Sequence, residues 1–396
     1  MINNLYNPIF AFIIIIISCL SSFLILKITS TKVESHKYET IDGLRGFLAI
    51  SVFIHHSSIW YVYLHNQRWE LPHDSLYSQL GQTSVAFFFM ITSFLFVSKL
   101  LSDKKFIWKD FYISRIFRLT PMYYVSLLVI IIIVFIDSQW RLDVSITDFL
   151  KSILKWLGFT YFGVTPINGK DILIINAGII WTLPYEWLFY FFLPILSLVI
   201  SKKNRPSIII FSFSILMCAI FYVRNDLIIL HLCTFLGGMV APFILKYTSI
   251  QSLLNTNKII KSLISILILI CGIFILVADQ IFPYHYHIYL RIIFITIIFT
   301  AITLGNSFFG ILRLSFIKLL GEISYSTYLI HGIFIYITFH FILGFEVVKQ
   351  LSVVYYWGVI FIITPIVVLF SYLGYTFIEK PMINYSKKHF INKRNN

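Results

Sequence analysis

The sequence predicts an all-α polytopic integral membrane protein of about eleven transmembrane helices, and three observations predict it. The 396 residues are 59% hydrophobic and only 12% charged, too little polar surface for a soluble domain of that length. Apolar runs recur at the length of about 17–25 residues that a helix needs to cross a ~30 Å hydrocarbon core. The basic residues are also placed unevenly between the segments that join those runs.

Spans are expected at roughly 8–28, 43–65, 82–101, 119–136, 180–200, 206–223, 227–246, 259–278, 286–304, 323–345 and 352–377. A closed β-barrel, the other structure that satisfies backbone groups in lipid, would alternate its side chains rather than run apolar through Phe12–Ile17 or Val129–Phe135. The first span lacks a basic leader, is long for a signal peptide and has no small-residue cleavage site, so it is expected to be retained. Assigning loops alternately from an outer N-terminus puts roughly three quarters of the 31 Lys and Arg on the inner side, the positive-inside bias. The net charge of +14 therefore orients the chain in a membrane and gives no reason to expect nucleic acid as a partner. The same count places the C-terminus in the cytoplasm.

The longest extramembrane stretch, 137–179, is placed outside; its part from Val144 to Phe162 is amphipathic and suits a membrane surface. Its aromatic residues Trp140, Trp156 and Tyr161 fit either an interfacial belt or stacking on sugar rings. Cys19, Cys218, Cys233 and Cys271 all fall in expected spans without metal-ligand spacing, which predicts reduced packing residues, with neither a disulfide framework nor a metal site. No internal repeat or low-complexity linker divides the chain.

Ionisable groups in a span are costly and are candidates for function. In the second span Arg45 precedes His56 by eleven residues. At ~100° and ~1.5 Å per residue, both side chains share one helical face, roughly 16 Å apart along the axis. A guanidinium at the inner mouth and an imidazole deeper in suit a long donor with an anionic head, such as coenzyme A, because the planar Arg fork binds phosphate bidentately. A snorkelling anchor and an interhelical hydrogen bond account for the same two residues in structural terms. His55 is adjacent but faces elsewhere. Glu186 stands as a carboxylate within the fifth span, where Pro184 is expected to kink the helix. His231, His285, His287 and His340 have no partner by spacing and are expected to pack or lie at an interface.

The motifs resemble, in order, those of the membrane acyltransferase-3 family. Asp42-Gly43-Leu44-Arg45-Gly46 with His56 looks like its Arg-x10-His signature, and Ser84 to Leu95 is similar to its Gly-Val-Asp-x-Phe-Phe helix. Arg115-Ile116-Phe117-Arg118 with Pro121 resembles its Arg-x-x-Arg-x-x-Pro element, and Trp181 to Tyr190 its Trp-Ser-Leu-x-x-Glu helix. Gly321 to His331 and Phe377-Ile378-Glu379-Lys380-Pro381 look like its closing motifs. Ala86 replaces an Asp common in the family, and Ser84 and Ser93 replace glycines, which predicts looser packing of that helix. On this resemblance, residues 1–37 are an added N-terminal helix and loop, 38–382 the transferase domain and 383–396 a basic cytoplasmic tail.

The resemblance implies a bacterial inner-membrane enzyme that moves an acetyl group from cytoplasmic acetyl-CoA, with no metal, to a hydroxyl of a surface glycan such as lipopolysaccharide O-antigen or capsule. Position and charge suggest the roles: Arg45, Arg115 and Arg118, on the inner side, as donor-phosphate ligands, His56 as the catalytic imidazole, and Glu186, in the same outer half, as a catalytic carboxylate that either orients and charges His56 or hydrogen-bonds the acceptor. Ser93, Tyr190, Tyr325 and His331 are expected to contact substrate or support those groups. Whether His56 acts as base or carries the acetyl group stays open. Some relatives carry a fused esterase-like domain; none is expected here, so the spans themselves or a separate partner protein complete the transfer. A transporter of a lipid-linked sugar or organic anion, a succinyl donor and a small non-sugar acceptor remain as alternatives.

Overall fold

The computed structural model describes residues 5–34, 37–102, 106–200, 227–249, 258–281 and 284–391, and the named elements of those segments are all helices. The long elements are α1 (Pro8–Thr29), α2 (Glu39–Asn66), α3 (Ser75–Leu100), α4 (Trp108–Asp137), the short α5 (Ile146–Leu157), α6 (Thr182–Ile200) and α7 (Leu227–Tyr247). They are followed by α8 (Lys258–Ile281), α9 (Tyr284–Thr303), α10 (Ser315–Glu322), α11 (Ser324–Ile337), α12 (Phe345–Gln350), α13 (Val353–Gly374) and α14 (Lys380–Ser386). Among the described residues eight helices are long and apolar enough to span a membrane, with shorter apolar helices at Cys233–Tyr247 and Tyr289–Thr303. The span expected at 206–223, and Cys218 within it, lie outside the described residues. Cys19, Cys233 and Cys271 are free thiols.

α2 is the centre of the bundle. Its most apolar window is 83% buried, against 28% for α1 and 22% for α8, so α2 is enclosed by protein while α1 and α8 turn most of their surface outward. In lipid, apolar area does not drive helices together; close backbone approach and hydrogen bonds do. Glycines supply that approach where α2 crosses α10: a Cβ on Gly46 would stand 2.8 Å from the Ile317 carbonyl oxygen, and Gly321 lies against the Asp42 backbone. The Asp42–Gly46 motif therefore seats α2 on the junction between α10 and α11, which places Arg45 beside Ser324 and Tyr325.

The same device operates between α3 and α7. At Ser93, one of the two serines expected to loosen α3, Gly238 of α7 packs directly on the side chain and on the Met90 backbone. α1 is anchored at the periphery by Ser22 donating to the Phe316 carbonyl (2.7 Å), Trp357 donating to Leu5 (3.1 Å) and Phe10 stacking on Trp357.

Two expectations are corrected. Pro184 does not kink a span: it is the third residue of α6, in the first turn, where its missing N–H has no partner to lose. The stretch 137–179 is not wholly superficial either. α5, capped by Ser145 donating and accepting around Asp148, exposes Ile146, Leu150 and Leu154 as a surface helix does. Beyond it, Ile167, Ile172, Ile175, Asn176, Ala177 and Ile179 are buried in irregular backbone, a conformation allowed at membrane depth when protein surrounds it. Trp156 is buried, donating to the Thr165 carbonyl at 2.8 Å, so it braces this loop and is unavailable to stack on a sugar.

Candidate active site

A cavity of about 860 Å³, its open mouth included, lies between α2, α3, α4, α6 and α11. Three guanidinium groups line it: Arg45 from α2, and Arg115 and Arg118 from α4. Residues three apart on a helix share a face, so the Arg-x-x-Arg spacing suffices to aim both α4 arginines inward. Glu186, Tyr190, Tyr325 and Ser324 complete the polar wall, and Phe88, Phe89, Leu95 and Phe96 form the apolar one.

The charges are mutually engaged. Arg45 feels Arg118 as a like charge and Asp42, Glu379 and Glu186 as opposite ones. Arg115 interacts with Tyr190 and Glu186, and its guanidinium lies 5.0 Å from the centre of the Phe96 ring. The Tyr190 hydroxyl donates to Glu186, and that of Tyr325 to the Leu119 carbonyl at 2.8 Å. Arg115 Nε is buried with no hydrogen-bond partner among the described residues. Such an orphaned charged donor, beside two further guanidinia, fits an anionic oxygen of a ligand.

His56 stands outside the lining of this cavity. Its Nδ1 is 2.9 Å from Nε2 of His331 on α11, with the two rings stacked at 5.1 Å. His331 Nδ1 is in turn 3.0 Å from the Thr327 carbonyl. The Trp69 ring lies 6.3 Å from that of His56, and Gly178 of the buried loop packs near Trp69. His55 does face elsewhere, its Nδ1 2.7 Å from the Tyr77 carbonyl. Tyr328 joins the two regions: it lines the cavity, and its ring is 6.3 Å from that of His331.

A family model described as an acyltransferase domain matches residues 38–375, most of the chain. The chain belongs to the membrane acyltransferase-3 family. No curated protein and no solved structure matches it.

Within this acyltransferase, Arg45, Arg115, Arg118, Glu186, Tyr190 and Tyr325 meet at one cavity, and His56 and His331 meet as a pair beside it. The hydrogen-bonding partner of His56 is His331 rather than Glu186, whose carboxylate accepts from Tyr190 in the cavity wall. Ser93 is apart from both groups: it is buried, donates to Met90 and serves packing. His340, expected to lack a partner, binds Asp137 at 2.9 Å, with Tyr336 donating to the same carboxylate. His231 packs among Trp181, Tyr185 and Phe89.

Sequence reasoning missed Glu379. The π-turn Tyr375–Glu379 that follows α13 turns it inward, where it is buried, accepts from Ser326 and interacts with Arg118 and Arg45. Its position in a closing motif was a signal; its burial was not visible, because it lies beyond the last apolar run. Lys99, at the end of α3, is a further cation near Arg115 and Arg118.

Proposed function

We propose that this membrane acyltransferase transfers an acetyl group from cytoplasmic acetyl-CoA to a hydroxyl of a bacterial cell-surface glycan, in the inner membrane, with its N-terminus outside and its C-terminus cytoplasmic. The observation that carries the reading is the convergence of three guanidinium groups on one partly apolar cavity, with a histidine pair behind Tyr328 of its lining. Phosphates of the donor bind Arg45, Arg115 and Arg118 through charge-assisted hydrogen bonds, and the apolar wall takes the pantetheine arm. Glu186 and Glu379 hold the guanidinia apart and in place until the donor arrives.

His56 then acts on the reacting centre. As a general base it removes the proton of the acceptor hydroxyl while that oxygen attacks the thioester carbonyl; the C–S bond breaks and the sulfur leaves as thiolate. As a nucleophile it takes the acetyl group first and passes it to the hydroxyl. Trapping acetyl-histidine with labelled donor in the absence of acceptor separates the two routes. The reading is tested by comparing surface glycan, by mass and NMR, from cells with and without the protein. Loss of O-acetyl groups is expected, and an unchanged glycan overturns the choice of acceptor. Sealed oriented vesicles given labelled acetyl-CoA on one face report the side of donor entry.

A further inference from the structure

We propose that His331 is a positioning residue that fixes the tautomer of His56, leaving His56 Nε2 as the unprotonated, reactive nitrogen. The proposal rests on His56 being the reactive residue of the acyl transfer, and adds which of its atoms reacts and why.

The argument follows the direction of each hydrogen bond. A backbone carbonyl can only accept, so His331 Nδ1, 3.0 Å from the Thr327 carbonyl, carries the proton. A neutral imidazole holds one N–H, so His331 Nε2 is then a lone-pair acceptor. His56 Nδ1 stands 2.9 Å from that acceptor and must donate to it. The Val52 carbonyl, one turn earlier on α2, also faces His56 and again can only accept. With its proton held on Nδ1, His56 presents its lone pair at Nε2, which has no hydrogen-bond partner among the described residues. His55 is directed elsewhere: its Nδ1 is held by the Tyr77 carbonyl and its ring packs against Gly81 of α3. The relay has a fixed sense: Thr327 carbonyl, His331, His56, substrate. Either route of transfer needs that lone pair, whether to take a proton or an acyl carbon.

The fold holds the relay in register. Thr327 and His331 are separated by one turn of α11, so the first bond is set by the helix itself. The second depends on α11 packing beside α2, where His331 is fully buried and His56 half-buried.

The test is nitrogen-15 NMR of the purified full-length protein in lipid nanodiscs at neutral pH, without substrate, with His56 assigned by His56→Asn. The expected spectrum shows protonated Nδ1 and unprotonated Nε2 on His56, and a mixture of tautomers in His331→Ala. A His56 protonated at Nε2 in the wild-type protein overturns the proposal, and this arm needs no variant of His331 to fold and no knowledge of the acceptor. Kinetics supply a second arm. His331→Gln offers a carbonyl oxygen as acceptor and is expected to keep kcat within several-fold. His331→Ala and His331→Lys, which offer no acceptor, are expected to lower kcat between about 10-fold and 100-fold, the usual cost of removing the partner that orients a reactive histidine, with the donor KM unchanged. Equal activity of the Lys and Gln variants, or wild-type kcat in His331→Ala, contradicts the relay.

Discussion

Tyr328 and Thr182 meet hydroxyl to hydroxyl at 2.8 Å, and this contact stands between the arginine-lined cavity and the His56–His331 pair. Tyr328 donates to the Ile179 carbonyl at 2.8 Å, so one side chain ties α11 to the buried loop that precedes α6. Tyr328→Phe removes this bond and the contact with the Thr182 hydroxyl, leaving the Ile179 carbonyl only the 3.2 Å bond from Thr182, at a cost of about 0.5–1.5 kcal/mol per hydrogen bond lost. The expected outcome is a lower melting temperature and a lower kcat, with the donor KM unchanged. A rise in KM for acetyl-CoA of tenfold or more would assign Tyr328 to donor binding instead.

The arginines are predicted to act on binding rather than on chemistry. Hydrogen bonds to charged groups contribute about 1.5–3 kcal/mol, so Arg118→Ala should weaken donor binding roughly 10-fold to 100-fold. Arg118→Lys keeps the charge but loses the planar fork and should fall between wild type and Ala. Initial rates against acetyl-CoA concentration check this: KM rises while kcat stays within a few-fold.

Glu186 is predicted to have a role that the donor can partly replace. Removing it takes one carboxylate from the neighbourhood of Arg45 and Arg115 and leaves the buried Tyr190 hydroxyl without its acceptor, a loss that costs about 1–3 kcal/mol. Glu186→Ala should therefore melt at lower temperature than wild type and lose acyl transfer. Coenzyme A should restore more melting temperature to this variant than it adds to wild type, because its phosphates supply the missing negative charge. Thermal unfolding with and without coenzyme A measures the difference; equal shifts would remove the electrostatic account of Glu186.

Much of this site was legible in the sequence because its relationships are local. The step of ~100° per residue lets Arg115 and Arg118 share one face of α4, and both line the cavity with Arg45; His56, eleven residues beyond Arg45 on α2, meets His331 outside that lining. What was not legible depends on contacts between helices. The partner of His56 is 275 residues away, and nothing in the spacing distinguishes His331 from Glu186 as that partner. Glu379 lies outside every apolar run, so only the turn after α13 reveals that it backs Arg118 and Arg45. Pro184 misled because a proline inside an apolar run marks equally a kink or a helix start, and the buried loop before α6 decides for the start.

Interhelical approach at glycine gives a stability prediction with its own control. Gly46→Ala places a methyl 2.8 Å from the Ile317 carbonyl oxygen, and overpacking of this kind costs about 1–3 kcal/mol. Gly272→Ala meets nothing within 4 Å and should leave the melting temperature unchanged or slightly raised, since Ala favours helix. Parallel thermal unfolding of the two variants in the same detergent distinguishes close packing from a general effect of replacing glycine.

The most direct measurement is transfer of label from radiolabelled acetyl-CoA to acceptor glycan by purified His56→Ala protein in nanodiscs, alongside coenzyme A binding to the same preparation. The expected result is wild-type binding, because His56 lies outside the cavity lining, and no transfer. Full transfer by His56→Ala would contradict the central claim that this histidine performs the chemistry.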